Sequence, residues 1–365
     1  MPTDRPAPSE RGPGTRVVHA GLPPAADGEP ILPGPVFASL YHLTGDIGEH
    51  NAASSYHRLG NPTWSRYEAA LAELEGGDAV LFASGMAAVT AVCTTFLRAG
   101  EVLVAPSDGY HGLRGLAGGQ LARAGIDVRL VPSTDEDVLG AMDGAAVVWV
   151  ESPANPGLAE LDIAALADAA HAQGALLVVD STLATPLRRR PLERGADLVV
   201  VSASKHLTGH SDLVLGYVAA RDPEHAVALV GTRLLAGAIP GPFETWLAHR
   251  SLATLDVRLR RQEETAAALV AYLGGRDDVR DVRYPGFGSV LVFTLADAPT
   301  AQTFLAGCEL VAEATSFGGV HATAERRARW PADDVAGGFV RFSVGIEDTA
   351  DVLADVRRAL DDAAG

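Results

Sequence analysis

The sequence has few cysteines, almost no lysine and no long hydrophobic run. Its 365 residues include 2 cysteines, Cys93 and Cys308, which excludes a disulfide framework and a metal site with several cysteine ligands. Apolar runs such as 145–150 are far shorter than the ~20 residues that cross a bilayer. The formal charge of −17 argues against nucleic acid or an anionic membrane as the main partner, because both require a positive surface.

Neither a metal site nor a targeting signal is indicated. His206 and His210 have no carboxylate or cysteine at ligand spacing, so we expect no bound metal. The residues before Arg16 are rich in proline and glycine and lack an apolar signal core. We therefore expect a cytoplasmic protein.

Lys205 is the only lysine in a chain with 29 lysine and arginine residues. Arginine supplies positive charge, but it cannot supply a primary amine that loses its proton near neutral pH and attacks a carbonyl. Lys205 is therefore a candidate for Schiff-base formation, and a surface lysine retained by chance is the alternative reading of this count.

Short apolar runs alternate with helical stretches from about residue 64 to 220, which predicts an α/β domain with a mostly parallel sheet. The runs are apolar at every position, as is typical of strands covered by helices on both faces. The predicted strands are 79–83, 102–105, 128–131, 147–151, 176–180 and 198–202.

A smaller α+β domain is predicted after the glycine- and proline-rich segment 231–242. One helix over about 243–273, strands at 290–295 and 339–344, and a terminal helix from 349 make up this part. We expect three units, namely an N-terminal arm over 1–58, a large domain over 59–230 and a C-terminal domain over 231–365.

Polar residues and glycines follow the predicted strands, at the edge where parallel sheets bind ligands. Gly85 follows the first strand, Asn155 comes after 147–151, Asp180 ends another strand and Lys205 follows the last. Turn formation alone would explain some of these residues. Their combination with the single lysine indicates a catalytic site.

Pyridoxal phosphate supplies the aldehyde that a Schiff-base lysine requires. Its phosphate would need backbone N–H groups at a helix start and hydroxyl groups. Suitable groups occur at Ser84, Gly85, Met86, Ser202 and Ser204. Asp180 is a carboxylate partner for the pyridine nitrogen and Tyr110 an aromatic plate for the ring. Taken singly, Asp180 could instead be a turn residue and Tyr110 a packing residue.

The segment 202–212, SASKHLTGHSD, resembles the lysine signature of the Cys/Met-metabolism pyridoxal-phosphate enzymes, the cystathionine γ-lyase and γ-synthase group. Further motifs similar to this family's occur in order along the chain: 56–63 (YHRLGNPT), 83–88 (ASGMAA), 151–156 (ESPANP), 179–182 (VDST), 250–255 (RSLATL), 316–319 (SFGG) and 341–347 (RFSVGIE). The resemblance implies a fold type I, pyridoxal-phosphate transferase-like architecture.

The resemblance also implies roles for individual residues. Lys205 would bind the cofactor and move protons, and Tyr110 would stack on the ring and assist proton transfer. Asn155, Ser316 and Arg341 would bind the substrate, with Arg341 as a bidentate clamp for its carboxylate. The implied cofactor-binding residues are Tyr56, Arg58, Ser84, Gly85, Met86, Tyr110, Asn155, Asp180, Ser202, Ser204 and Lys205.

Tyr56 and Arg58 would, by the same resemblance, reach the cofactor phosphate of a neighbouring subunit. This implies a homodimer with shared active sites, and the usual assembly of the family is a tetramer.

The sequence departs from the family in several places, and two of these departures bear on the substrate. Methionine γ-lyases carry a cysteine where this chain has Gly112, which argues against that activity. His321-Ala322 replaces the usual Glu-Ser, which affects recognition of the distal part of the substrate.

Other readings of the same residues are weaker. Ser202-x-x-Lys205 has the spacing of serine β-lactamases, but their Lys-Thr-Gly motif cannot exist without a second lysine. A non-catalytic scaffold would be expected to lose Asp180, Lys205 or Arg341, and all three are present. Within the family we expect γ-elimination from L-cystathionine or a related sulfur amino acid; γ-replacement on an O-acylhomoserine and β-elimination stay open.

Overall fold

The structure is a computed structural model that describes residues 11–43, 46 and 55–364. Its α-helices are α1 (Pro13–His19), α2 (Pro62–Glu75), α3 (Gly85–Phe96), α4 (His111–Leu116), α5 (Asp135–Ala141), α6 (Ile163–Ala172), α7 (Thr185–Arg188), α8 (Pro223–Ala236), α9 (Pro242–Leu252), α10 (Leu255–Leu273), α11 (Ala298–Gly307) and α12 (Thr349–Ala364). Its strands are β1 (Asp78–Phe82), β2 (Val102–Pro106), β3 (Asp127–Val131), β4 (Ala145–Glu151), β5 (Leu176–Asp180), β6 (Leu198–Val201), β7 (Gly216–Ala220), β8 (Arg280–Arg283), β9 (Val290–Thr294), β10 (Ala312–Glu313), β11 (Thr323–Arg326) and β12 (Phe339–Ser343).

The large sheet has seven strands in the order β1-β7-β6-β5-β4-β2-β3. The pairs from β6 to β3 are parallel, whereas β7 pairs antiparallel with both β6 and β1. The prediction of a mostly parallel sheet is therefore confirmed. The sequence analysis missed β7, whose glycine and alanines are uncommon in strands, although burial on both faces suits small residues.

Helices cover both faces of this sheet, as the uniformly apolar strands predicted. In β6, Leu198 and Val200 pack in one core cluster with α3, while Val199 and Val201 pack in another with α2. All four side chains are at most 1% exposed. Strands buried in this way have no polar face, and their loops therefore carry the chemistry at the strand ends.

A second sheet has five strands in the order β10-β11-β12-β9-β8 and packs with α11 and α12. The predicted strands at 290–295 and 339–344 and the terminal helix from 349 correspond to β9, β12 and α12. This part has the α+β architecture that was predicted.

The single helix predicted over about 243–273 is wrong, because α9 and α10 are separated at residues 253–254. The backbone of Thr254 leaves the helical region, with φ −105° and ψ 4°. At the break the carbonyl of Ser251 accepts from the amide of Thr254 at 3.2 Å and from the guanidinium of Arg258 at 3.1 Å. A helical pattern continues across such a break, so periodicity alone does not reveal it.

Helix α8 continues past residue 230, where the predicted large domain ends; the three-unit division stays a prediction. In the parts of the chain that the structure describes, no helix is long and apolar enough to span a membrane.

Candidate active site

The carboxyl ends of β1, β4, β5 and β6 open into one cavity of about 430 Å³. Eleven residues that the sequence analysis selected line it: Ser84, Gly85, Met86, Tyr110, Asn155, Asp180, Ser202, Ser204, Lys205, Ser316 and Arg341. These residues lie up to 257 positions apart in the chain, from 84 to 341. The fold thus brings the predicted cofactor and substrate groups to the sheet edge where ligands bind.

Lys205 is the amine of this cavity. Its Nζ donates to Ser316 Oγ at 2.7 Å and lies 5.3 Å from the centre of the Phe317 ring. Burial, and then the neighbouring Arg341, lower the pKa of Lys205 from 10.5 to about 8. A substantial fraction of this amine is therefore neutral near physiological pH, as nucleophilic attack requires.

Ser316 joins the lysine to the arginine of the site. Its hydroxyl accepts from Lys205, and its carbonyl accepts from Nη2 of Arg341 at 3.1 Å. Its φ is +79°, in the left-handed region that residues other than glycine rarely adopt. Such strain is found where the surrounding structure requires a particular placement of a group, here the Ser316 hydroxyl.

Arg341 is almost fully buried, with 4% of its side chain exposed. Its Nη1 donates to Asn155 Oδ1 at 2.6 Å, and its Nη2 also pairs with Glu325. Burial and the nearby Arg327 lower the pKa of Arg341 to about 10, which still leaves it charged at neutral pH. A buried guanidinium in this position can bind a carboxylate that enters the cavity.

Asp180 and Glu151 place two carboxylates side by side at the strand ends, Glu151 buried and Asp180 half-buried. They are register partners in the parallel pair β4–β5. Asp180 Oδ1 accepts from the amide of Thr182 at 3.0 Å. Burial raises the pKa of both carboxyl groups, and the charge of Asp180 raises that of Glu151 further. The protonated ring nitrogen of pyridoxal phosphate, if it lay beside Asp180, would reduce the repulsion between the two carboxylates.

The sequence analysis gave Glu151 no role, although it ends a buried strand just as Asp180 does. Its Oε2 accepts from the amide of Tyr110 at 2.7 Å, and its Oε1 accepts from the amide of Asn155 at 3.1 Å. Glu151 thus holds the backbone of two residues that line the cavity. A charged residue at the end of an otherwise apolar strand is the signal that could have identified it.

Tyr110 precedes α4 and is about one third exposed, at 36%. Burial, followed by the charges of Asp180 and Glu151, raises the pKa of Tyr110. The hydroxyl therefore keeps its proton at neutral pH and can act as a proton donor. Gly112 leaves room for this ring, because a Cβ there would lie 2.5 Å from Tyr110 Cε1 and 2.7 Å from Met86 Sδ.

The start of α3 and the segment after β6 form a concave wall suited to a phosphate. Ser84 caps the 12-residue helix by accepting from the amide of Ala87 at 3.0 Å. A Cβ on Gly85 would lie 2.9 Å from Ser202 Oγ, so glycine allows the helix start to approach this hydroxyl. Helix N-terminal amides and a nearby hydroxyl are the donors that a phosphate requires, and the cavity fits pyridoxal phosphate.

The hydroxyl of Ser204, which the sequence analysis predicted to bind the phosphate, forms hydrogen bonds within the protein. Its hydroxyl donates to the carbonyl of Leu215 and accepts from the amide of the same residue. Ser204 lines the cavity, but these two bonds also fix the loop that carries Lys205.

Tyr56 and Arg58 lie outside the residues that line the cavity. Arg58 Nη1 donates to the carbonyl of Leu234 at 3.2 Å, and its guanidinium lies 5.7 Å from the Tyr56 ring. Within one chain these two residues are therefore not brought to the cofactor site. Their predicted role across a subunit boundary stays a prediction.

Arg258, which the sequence analysis did not select, holds the backbone that follows Lys205. Its Nη1 and Nη2 donate to the carbonyls of His206 and Leu207 at 2.6 and 3.1 Å. His206 itself bonds Ser289 through Nε2 at 2.8 Å. The sequence alone does not show whether an arginine inside a predicted helix is exposed or holds a neighbouring loop in this way.

Known proteins resemble this chain over almost its whole length. The model of the family described as Cys/Met metabolism PLP-dependent enzyme matches residues 15–361. A Streptomyces coelicolor protein, named provisionally as a cystathionine γ-lyase, is 48% identical over 97% of this chain and 95% of its own length. A Mycobacterium tuberculosis cystathionine γ-synthase is 35% identical over 96% of this chain and 97% of its own length.

A solved structure agrees with both sequence comparisons. A cystathionine γ-synthase from Xanthomonas oryzae pv. oryzae, in complex with cystathionine, superposes with a TM-score of 0.91 at 32% identity, over 97% of this chain and 99% of that one. The predicted fold and cofactor are therefore confirmed. The chain belongs to the Cys/Met-metabolism family of pyridoxal-phosphate-dependent enzymes.

Proposed function

We propose that the protein cleaves the Cγ–S bond of L-cystathionine or a related sulfur amino acid. With L-cystathionine, the reaction consumes one water and releases a 2-oxo acid, ammonia and the thiol cysteine. The observation that carries this proposal is the single lysine amine, with its pKa lowered to about 8, in one cavity with Asp180 and Arg341. This set provides an amine, a partner for the ring nitrogen and a carboxylate clamp.

Bound pyridoxal phosphate supplies an electron sink for the charge that develops on the substrate carbons. Lys205 would hold it covalently through its aldehyde, and Asp180 would keep the ring nitrogen protonated. The amides at the start of α3 and the hydroxyl of Ser202 would hold the phosphate. Tyr110 would lie against the ring.

Substrate orientation depends on Arg341 and Asn155, which already contact each other at 2.6 Å. Arg341 would bind the α-carboxylate as a fork, and the polar side chain of Asn155 lies beside it. Ser316 joins this clamp to Lys205 through its carbonyl and hydroxyl. The amine of Lys205 is thereby positioned on the same side of the cavity as the substrate carboxylate.

Lys205 would remove the proton from Cα, pass it on to the bound cofactor and, as a neutral amine again, remove a proton from Cβ. Its lowered pKa suits it for both transfers, because a base works best when its pKa lies near the working pH. Tyr110 keeps its proton at neutral pH and would donate it to the leaving thiolate. The two groups thus divide the proton transfers between them.

We favour γ-elimination over γ-replacement because the relative at 48% identity carries a γ-lyase name, whereas a relative at 35% is named a γ-synthase. Gly112 also argues against a methionine γ-lyase, since any side chain there collides with Tyr110. γ-Replacement on an O-acylhomoserine and β-elimination are the alternatives.

We further propose a homodimer with shared active sites, probed below through Arg58, and assembly of dimers into a tetramer. A cytoplasmic location is also proposed, since Cys93 and Cys308 are both free cysteines.

An amino-acid panel on the purified holoenzyme tests the proposed activity. L-Cystathionine, L-methionine and an O-acylhomoserine with or without cysteine would be incubated separately, and 2-oxo acid and free thiol measured in parallel. Fastest release of both products from cystathionine supports the proposal. Fast consumption of the O-acylhomoserine only when cysteine is present would replace it with γ-replacement.

A further inference from the structure

Five charged side chains form a continuous chain of ion pairs along one wall of the cavity. Arg341 pairs with Glu325, and Glu325 also accepts from Nη1 of Arg327 at 2.7 Å. Arg327 in turn pairs with Asp333 through Nε at 2.8 Å. Asp333 accepts from Nη2 of Arg114 at 2.8 Å. Positive and negative side chains therefore alternate along this chain of ion pairs.

Four of the five side chains in this chain of ion pairs are buried, and Arg114 at its end is 16% exposed. The side chains of Glu325 and Asp333 are 1% exposed, and those of Arg327 and Arg341 are 3% and 4% exposed. Burying charges is costly unless each finds partners, and removal of one partner leaves another uncompensated. Three arginines against two carboxylates give this chain of ion pairs one net positive charge, and Arg341 at its end lines the cavity.

The two ends of this chain of ion pairs lie on different parts of the site. Arg341 is on β12 of the second sheet, and Arg114 is on α4, which begins directly after Tyr110. Trp330 makes a second contact between these parts, because its ring stacks on His111 with centroids 6.0 Å apart and planes 10° apart. The segment 327–333 thus connects the carboxylate clamp with the helix next to Tyr110.

We propose that Arg327 is a positioning residue for recognition of the substrate carboxylate. It holds Glu325 in place, and Glu325 fixes the direction of the Arg341 guanidinium. The hydrogen bonds of Arg327 go to Glu325 and Asp333 and not to the groups assigned to the cofactor. This inference rests on the proposed function only in requiring that the site binds an amino acid.

The test compares two amines that differ by one carboxylate. Equilibrium binding of glycine and of methylamine to the holoenzyme is measured from the change in cofactor absorbance, in the parent protein and in Arg327→Gln. Glycine should bind about tenfold or more weakly to the variant, the loss expected for a charge-assisted hydrogen bond, while methylamine binding stays the same. Arg329→Gln is the matched control. Arg329 lies in the same short 3₁₀ helix as Arg327 (Arg327–Arg329) and pairs at the surface with Glu313.

Several outcomes would overturn the proposal. Unchanged glycine binding, or equal weakening for glycine and methylamine, contradicts a role in carboxylate recognition. Arg327→Lys, which keeps the charge, should recover part of the glycine affinity; no recovery would indicate a merely structural role. If Arg327→Gln fails to fold, Asp333→Asn disturbs Arg327 from its other side and should give the same difference between the two amines.

Failure of the proposed activity would be seen separately. A parent protein that binds glycine more tightly than methylamine, yet releases no 2-oxo acid from cystathionine, would contradict the proposed reaction and leave the role of Arg327 supported.

Discussion

The carboxylates of Glu151 and Asp180 lie side by side at the ends of the neighbouring parallel strands β4 and β5. Burial raises the pKa of both, and the charge of Asp180 raises the pKa of Glu151 further. The oxygens of Glu151 accept from the amides of Tyr110 and Asn155, whereas Asp180 is the proposed partner of the cofactor's ring nitrogen. We therefore propose different tasks for them: Glu151 holds the backbone of two residues that line the cavity, and Asp180 keeps the ring nitrogen protonated.

Asp180→Asn should retain part of the bound cofactor and lose most turnover, because the ring nitrogen loses the charge that keeps it protonated. An interaction of about 3 kcal/mol corresponds to roughly a hundredfold in rate. Cofactor content by absorbance and 2-oxo acid release by a coupled assay measure the two effects. Turnover within a few fold of the parent rate would remove Asp180 from the site.

Lys205 should be the single point of covalent cofactor attachment. After borohydride reduction, intact-mass analysis should find one cofactor adduct per chain in the parent protein and none in Lys205→Arg. Peptide mapping is unnecessary, since the sequence has no second lysine. A reducible, covalently bound cofactor in Lys205→Arg would show that the attachment site lies elsewhere.

The same lysine gives a pH dependence to cofactor uptake. The neutral amine attacks the aldehyde, and the pKa of Lys205 is lowered to about 8. The rate of uptake by the apoenzyme should therefore rise with pH and level off above about 8. A rate that keeps rising towards 10.5, the ordinary value, would mean that burial does not lower this pKa.

Gly112→Ala should lower turnover about tenfold or more, because its Cβ would lie 2.5 Å from Tyr110 and displace the ring by a fraction of an ångström. Gly115→Ala is the control on the same helix, since a Cβ there meets nothing within 4 Å. Steady-state kinetics on both variants measure the difference. Equal activities would mean that the position of Tyr110 is not critical.

Arg58 should act across a subunit boundary. Arg58→Ala and Lys205→Ala should each be inactive alone, and mixing them under conditions of subunit exchange should restore part of the activity. A mixed dimer contains one site with both residues intact. Exchange shown by mass without any return of activity would place the complete site within one chain.

Much of the fold and site could be predicted because local sequence patterns agree with the structure that forms. Apolar strands such as 198–201 and the polar residues that follow them indicate a parallel sheet and its ligand edge. The single Lys205 and the ordered motifs identify the cofactor chemistry. The break at Thr254 and the role of Arg258 could not be predicted, because both depend on the backbone carbonyls that tertiary packing brings to the Arg258 guanidinium.

The ion-pair chain through Arg327 was also beyond sequence reasoning. Its members are scattered from Arg114 to Arg341, and charged residues are more often exposed than buried. Glu151 is an intermediate case, since its position at the end of β4 was visible and its two backbone partners were not.

The products of L-cystathionine cleavage test the central claim most directly. Cystathionine has two different C–S bonds, so the products identify the bond that breaks. The account predicts 2-oxobutanoate and cysteine in equal amounts from the parent holoenzyme and none from Lys205→Arg. Pyruvate and homocysteine from the parent protein would show cleavage at the other carbon and would contradict the proposed γ-elimination.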